Sequence, residues 1–144
     1  MIESVHLDVF RKLLGENACL VKEDQVNEFA KDWTRPESVS ASCVLLPNKT
    51  EDVSAILAYC HEHKLSVVPS GGRTGLAGGA VARHGELILS LSKMNKILNI
   101  DRIGLTAEVE AGVTTQALQE AVSNLGLFYG VDLGSRGTCQ IGGI

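Results

Sequence analysis

PSGGRTGLAGG, Pro69 to Gly79, follows directly on the apolar run from Leu65 to Val68. Gly71, Gly72, Gly75, Gly78 and Gly79 crowd this short stretch. Glycine lets a backbone turn through positive φ and bare its N–H groups, so a concave nest for an anion forms readily here. Ser70 and Thr74 add hydroxyl donors, and Arg73 adds a fixed positive charge. A loop of this kind after a buried strand sits where open α/β sheets place their ligands.

Working outward, Ser42 to Leu46 reads as a strand, and Pro47 and Asn48 turn the chain. Thr50 is positioned to cap a helix whose first turn carries Glu51 and Asp52, favourable at the positive end of the dipole. Val53, Ile56, Leu57 and Cys60 form its apolar stripe. Strand, helix and strand at this spacing predict a parallel β-α-β unit with a right-handed crossover. Downstream, Glu86 to Leu91, Lys96 to Ile100 and Leu105 to Ala111 read as strands, with Gly104 and Gly112 at turns. Thr114 or Thr115 caps a further helix with Ala117, Leu118, Ala121, Val122 and Leu125 inward and Gly126 at its end. A strand-like LFYGV (127–131) leads into a second glycine cluster, DLGSRGTCQIGGI. Upstream, Val9, Phe10, Leu13 and Leu14 share a helical face over residues 3–14, and Pro36 interrupts a looser region before the compact part begins near Ser40. The fold class is α+β. A chain that stops on Gly142, Gly143 and Ile144 reads as the front part of a longer protein.

The bulk numbers set limits on function. At 144 residues, 44% hydrophobic and 21% charged, the chain has the size and balance of one globular domain or part of one. A net charge of -4 and 4% aromatic residues offer neither a basic surface nor stacking platforms for nucleic acid. Cys19, Cys43, Cys60 and Cys139 are scattered and read as reduced thiols. Glu3 and Asp8 do not suit a transit peptide, and no run approaches the ~20 apolar residues of a membrane span. The cytoplasm is the expected location.

Familiar phosphate motifs are absent. No glycine precedes a lysine, as a P-loop requires, and no two glycines lie two apart, as the Rossmann fingerprint requires. The second cluster nevertheless repeats the chemistry of the first with Gly134, Ser135, Arg136, Gly137, Thr138, Gly142 and Gly143. Two such loops converging on one crevice suit a diphosphate with long arms. Cys60, His61 and His63 lack metal-ligand spacing, and at a helix end the histidines complement the dipole. No metal site is expected. Cys139 reads as a small residue packed near a cofactor, Trp33 as a packing residue, and Glu108 with Glu110 as one solvated face.

PSGGRTGLAGGAV, ELILSLSKMNKI, AEVEAGV and DLGSRGTCQIGG, in this order, resemble the amino-terminal half of the flavin-binding domain of FAD-linked oxidases, the vanillyl-alcohol oxidase and p-cresol methylhydroxylase (PCMH) type. Within that family the similarity is greatest to D-2-hydroxyglutarate and D-lactate dehydrogenases and the glycolate oxidase D subunit. It runs from about Asp32 to the end of the chain. The resemblance implies a helical lead over 1–38 and a PCMH-type domain over 39–144, with a first subdomain to about residue 100 and a second, incomplete one from about 101. The first subdomain is a small β-α-β sheet with flanking helices. It further implies that Pro69, Ser70, Gly71, Gly72, Arg73, Thr74 and Gly75, with Gly78 and Gly79, wrap the FAD pyrophosphate. Asp132, Leu133, Gly134, Ser135 and Thr138, with Gly142 and Gly143, approach the pyrophosphate and flavin from the other side. FAD comes so near the main chain, on this reading, that Cβ atoms would collide with it. Some relatives bond the flavin to a histidine of the first loop, where this chain has Arg73 and Thr74, which implies non-covalent binding. Gly130 and Val131 replace the Pro-Leu common before the second loop.

The activity implied is oxidation of a D-2-hydroxy acid to the 2-oxo acid, with hydride passing to flavin N5 and an unidentified acceptor removing the electrons. Acid-base residues of such an enzyme would lie beyond Ile144, so none is assigned here, and these residues alone should be catalytically silent. A flavin or nucleotide module without that chemistry, and a cofactor-free α+β domain with tight turns, are the alternatives.

Overall fold

The computed structural model describes residues 2–144. Helix α1 (Ser4–Leu14) ends at Gly15, whose φ of 88° only glycine adopts without strain. A 3-10 turn leads to a short strand β1 (Cys19–Leu20), and helix α2 (Glu23–Phe29) follows. Then come β2 (Ala41–Leu45), α3 (Thr50–Glu62), β3 (Val67–Ser70), β4 (Glu86–Ser90), the hairpin β5 (Ile97–Asp101) and β6 (Thr106–Val109), and α4 (Thr115–Ser123).

The main sheet has the order β1-β2-β4-β3, with β2, β4 and β3 parallel and β1 antiparallel at the edge. The expected parallel unit is therefore present in direction but not in adjacency, because β4 inserts between β2 and β3. Alternate residues serve opposite faces. Cys43, Leu45, Leu87 and Leu89 pack with Phe10 of α1 and Ile56 and Cys60 of α3. Val44 and Ile88 pack the other way, with Val26 and Ala30 of α2 and Ala82. Both faces are covered, which is why these strands read as continuous apolar runs instead of alternating ones. A separate cluster of Val113, Leu118 and Val122 sets α4 on the β5–β6 hairpin.

Several local expectations are corrected. Strand β3 begins at Val67 and runs through Ser70, so the first two residues of the quoted stretch belong to the sheet. Thr50 lies in the first turn of α3 instead of capping it, and the Asp52 carboxylate accepts from Asn48 N at 3.1 Å. Leu57 is 45% exposed, so the apolar stripe of α3 is narrower than its spacing suggests. Thr114 does cap α4, its hydroxyl accepting from Ala117 N at 3.2 Å, while Ala117 itself faces solvent. Residues 127–131 form no strand: Leu127 and Tyr129 tuck against α4 and Phe128 is 91% exposed, but no partner backbone pairs with them. Trp33 is 58% exposed with the Arg35 guanidinium over its ring, not packed inside.

All four cysteines are buried and unpaired. Burial raises the Cys19 and Cys60 thiols and pushes Cys43 up to about 12. The buried Cys43 is therefore held as the thiol at neutral pH, and the thiolate is the reactive species. The folded protein is therefore expected to react slowly with a thiol-specific chromogenic disulfide, and four thiols should titrate promptly on unfolding in guanidinium. Fast native reaction at Cys43 would show that the sheet opens.

A candidate cofactor cradle between two glycine loops

The first loop leaves β3 at its carboxyl end. It is anchored at its start by Leu91 N donating to Ser70 O at 3.2 Å, and at its finish by Ala82 N donating to Ala30 O at 3.0 Å. Between these anchors, among the described residues, no amide from Gly71 to Ala80 donates to a protein acceptor. Such a run of free N–H groups at a strand end is the backbone form of an anion site. Gly71, Gly72, Arg73 and Thr74 are partly buried there, while Pro69 on β3 is exposed.

The second loop is built differently. Arg136 N donates to Leu133 O, Thr138 N and Cys139 N to Ser135 O, and Gly142 N to Ala111 O. The loop also closes the start of α4: Thr115 N donates to Cys139 O at 3.1 Å and Gln116 N to Arg136 O at 2.9 Å. Cys139 is buried with its sulfur 3.1 Å from Thr115 Oγ1. The helix dipole of α4 is thus turned to the protein's own carbonyls, and the free amides of the site belong mainly to the first loop. Asp132 pairs with Arg136 at 3.3 Å on the surface.

The two loops meet at their backbones. A Cβ on Gly72 would lie 1.9 Å from Thr138 O, and one on Gly71 would lie 3.3 Å from Gln140 Oε1. A Cβ on Gly142 would lie 2.6 Å from that of Ala111. Gly72 and Gly142 need glycine because chain meets chain, whereas Gly71 faces only the movable end of the Gln140 side chain. Gly75, Gly78, Gly79, Gly134 and Gly143 differ: a Cβ there would meet nothing within 4 Å. Of these, Gly78 also has φ of 77°, a backbone reason of its own, while the others leave open space in front of the chain. The glycines of the quoted stretch therefore divide into joints and walls.

Two buried polar atoms beside this junction, Ser70 Oγ and Gln140 Oε1, have no protein partner. Buried polar atoms left so usually await a ligand or water. Gln140 was not legible as a site residue, since a lone glutamine in a glycine loop carries no signal in sequence. The Arg73 guanidinium does not lie over the loop junction; it sits 4.5 Å from the centre of the Phe29 ring, beside a groove of about 480 Å³ shared with Trp33 and Arg35. An apolar cavity of about 550 Å³ lies between the β5–β6 hairpin and α4, lined by Ile100, Val109, Leu118, Val122, Leu127 and Ile141 among others. Among the described residues no three His, Cys, Asp or Glu side chains are grouped to hold a metal ion, and no helix is long and apolar enough to cross a membrane.

The D-2-hydroxyglutarate dehydrogenase of Stutzerimonas stutzeri is 38% identical over 143 residues, covering 99% of this chain and 31% of the relative. Among solved structures, p-cresol methylhydroxylase with substrate bound matches with a TM-score of 0.75 and 30% identity, over 86% of this chain and 25% of that one. An alkyldihydroxyacetonephosphate synthase shares the fold at a TM-score of 0.88 and 17% identity, over 99% of this chain and 31% of its own. The chain thus spans about a third or less of the length of the proteins it matches. The model of the FAD binding domain matches residues 41–144, the three parallel strands of the main sheet, the β5–β6 hairpin, both glycine loops and α4 together, and this chain belongs to that family.

Proposed function

We propose that these residues are the cofactor-binding portion of a flavin-dependent enzyme that oxidises a D-2-hydroxy acid to its 2-oxo acid. FAD is the cofactor of this family, and the residues present fit it. The observation that carries the reading is the run of unpartnered amides from Gly71 to Ala80, which includes the open glycines Gly75, Gly78 and Gly79 and is flanked by the unsatisfied Ser70 Oγ. Backbone N–H groups and a hydroxyl bind a diphosphate without needing a lysine, which accounts for the missing P-loop signature.

Within this reading the first loop holds the diphosphate, with Thr74 as a further hydroxyl donor. Asp132, Leu133, Gly134, Ser135, Thr138 and Gly143 form the opposing wall, and Gly142 keeps that wall against Ala111. FAD, when bound, supplies the two-electron acceptor for hydride leaving the substrate α-carbon. These residues orient the cofactor and exclude water from its diphosphate; they contribute no acid-base group. Binding is non-covalent, since Arg73 and Thr74 offer no imidazole for attachment. We read 1–38 as a helical lead and 39–144 as the PCMH-type domain, divided near residue 100. The cytoplasm is the proposed location. Substrates are sought among D-2-hydroxyglutarate, D-lactate and glycolate.

The complete gene product, purified and loaded with FAD, should lose its flavin absorption when one of these acids is added without oxygen. Flavin that binds yet stays oxidised with all three would leave a binding module without hydroxy acid chemistry. Protein that takes up no flavin would refute the cofactor reading itself.

A further inference from the structure

We propose that the carboxyl end of α2, Phe29 with Ala30, is a brace that sets the opening of the first glycine loop, and that Arg73 is a positioning residue acting through that brace instead of a phosphate ligand. The inference rests on the reading that FAD occupies the loop.

Both ends of the loop converge on these two adjacent residues. Near its start, Arg73 has φ of 56°, a left-handed conformation that side chains other than glycine adopt at a cost. What holds it there is the guanidinium, 4.5 Å from the centre of the Phe29 ring, where a planar cation is attracted to the face of the aromatic system. At the loop's far end, Ala82 N donates to Ala30 O at 3.0 Å, and both alanines are fully buried. Every free amide of the cradle lies between these two points of attachment or within two residues of them. A guanidinium stacked on Phe29 is also committed: turning it toward a phosphate would require giving up the stack that stabilises the left-handed turn. Its charge alone suits a diphosphate, but its placement assigns Arg73 the role of a strut. The brace precedes residue 41, where the match to the FAD binding domain begins.

The test is a double-mutant cycle on the complete protein, with the FAD dissociation constant measured by flavin fluorescence at two salt concentrations. Phe29→Leu and Arg73→Met are each expected to weaken FAD by about 5- to 30-fold, and the double variant to bind no more weakly than the poorer single one. Phe29→Tyr, which keeps the ring, should stay within about twofold of wild type. The salt dependence of Arg73→Met should match that of wild type, because no phosphate contact is removed. The proposal is overturned if Arg73→Met weakens binding and flattens the salt dependence while Phe29→Leu does neither, or if the two losses add. Should Phe29→Leu fail to fold, Arg73→Lys decides: a strut requires the planar group, so binding weakens, whereas a simple charge contact survives. Gly75→Val serves as the control on location. If it keeps wild-type affinity, FAD is not in the loop and both readings fall; if it loses FAD while the cycle is additive, only the brace does.

Discussion

Gly72→Ala is expected to destabilise the folded chain by about 3 to 5 kcal/mol, the range of the most damaging single substitutions. The added methyl would stand 1.9 Å from Thr138 O, 2.7 Å from Thr138 C and 2.9 Å from Cys139 Cα. All three are backbone atoms, so no rotamer change relieves the overlap. They are also held from behind, because Cys139 O and Ser135 O are occupied by Thr115 N, Thr138 N and Cys139 N. One loop must move away from the other, and either movement breaks the junction on which the site is built. A fall in the midpoint of chemical denaturation, with the slope unchanged, would measure this loss. An unchanged midpoint would mean that the loops do not touch.

Gly75→Val should behave in the opposite sense. A Cβ at Gly75 meets nothing within 4 Å, and its φ is not in the left-handed region, so stability should change by less than about 1 kcal/mol. FAD affinity in the complete protein should fall by about 100-fold or more, equivalent to about 2.7 kcal/mol, because the branched side chain fills the space in front of the free amides. Neighbouring glycines in one loop are thus expected to fail for different reasons, Gly72 through the fold and Gly75 through the ligand. A Gly75→Val protein that unfolds would assign this glycine to packing, and one that binds FAD normally would move the cofactor elsewhere.

Sequence alone was most informative where one force dominates. Ser42 to Leu46 and Glu86 to Leu91 were legible as strands because both faces of the sheet are buried, and a threonine cap at 114 or 115 was legible from the pattern, with the structure giving it to Thr114. The insertion of β4 between β2 and β3 was not legible, since strand order depends on contacts distant in sequence and leaves no local trace. Leu57 shows the limit of periodicity: its position on the helix is apolar in pattern, yet it stays half-exposed, outside the packed cluster of α3. At LFYGV the alternation is real and the strand is not, because only one side of the segment finds a surface to pack on.

The glycine loops were legible in kind but not in detail. Glycine density marked both as places of close approach, yet composition cannot tell whether a cofactor or the protein's own backbone is what approaches. In the structure Gly72 and Gly142 are set by Thr138 and Ala111, whereas Gly75, Gly79 and Gly134 have open space where a Cβ would stand. The symmetry expected of the two loops also breaks down. In the second loop the amides of Arg136, Thr138, Cys139, Ile141, Gly142 and Gly143 already donate to protein carbonyls, so the first loop carries most of the free donors. Phe29, Ala30 and Gln140 gave no sequence signal, because each acts through a partner far away along the chain.

Amide hydrogen exchange of the complete protein, measured residue by residue with and without FAD, tests the placement of the cofactor most directly. Exchange should slow from Gly71 to Ala80, where the amides have no protein acceptor, and change less at Thr138 and Cys139, which already donate to Ser135. Protection that appears elsewhere, with residues 71–80 exchanging as fast as before, would contradict the assignment of this loop as the cradle of the diphosphate.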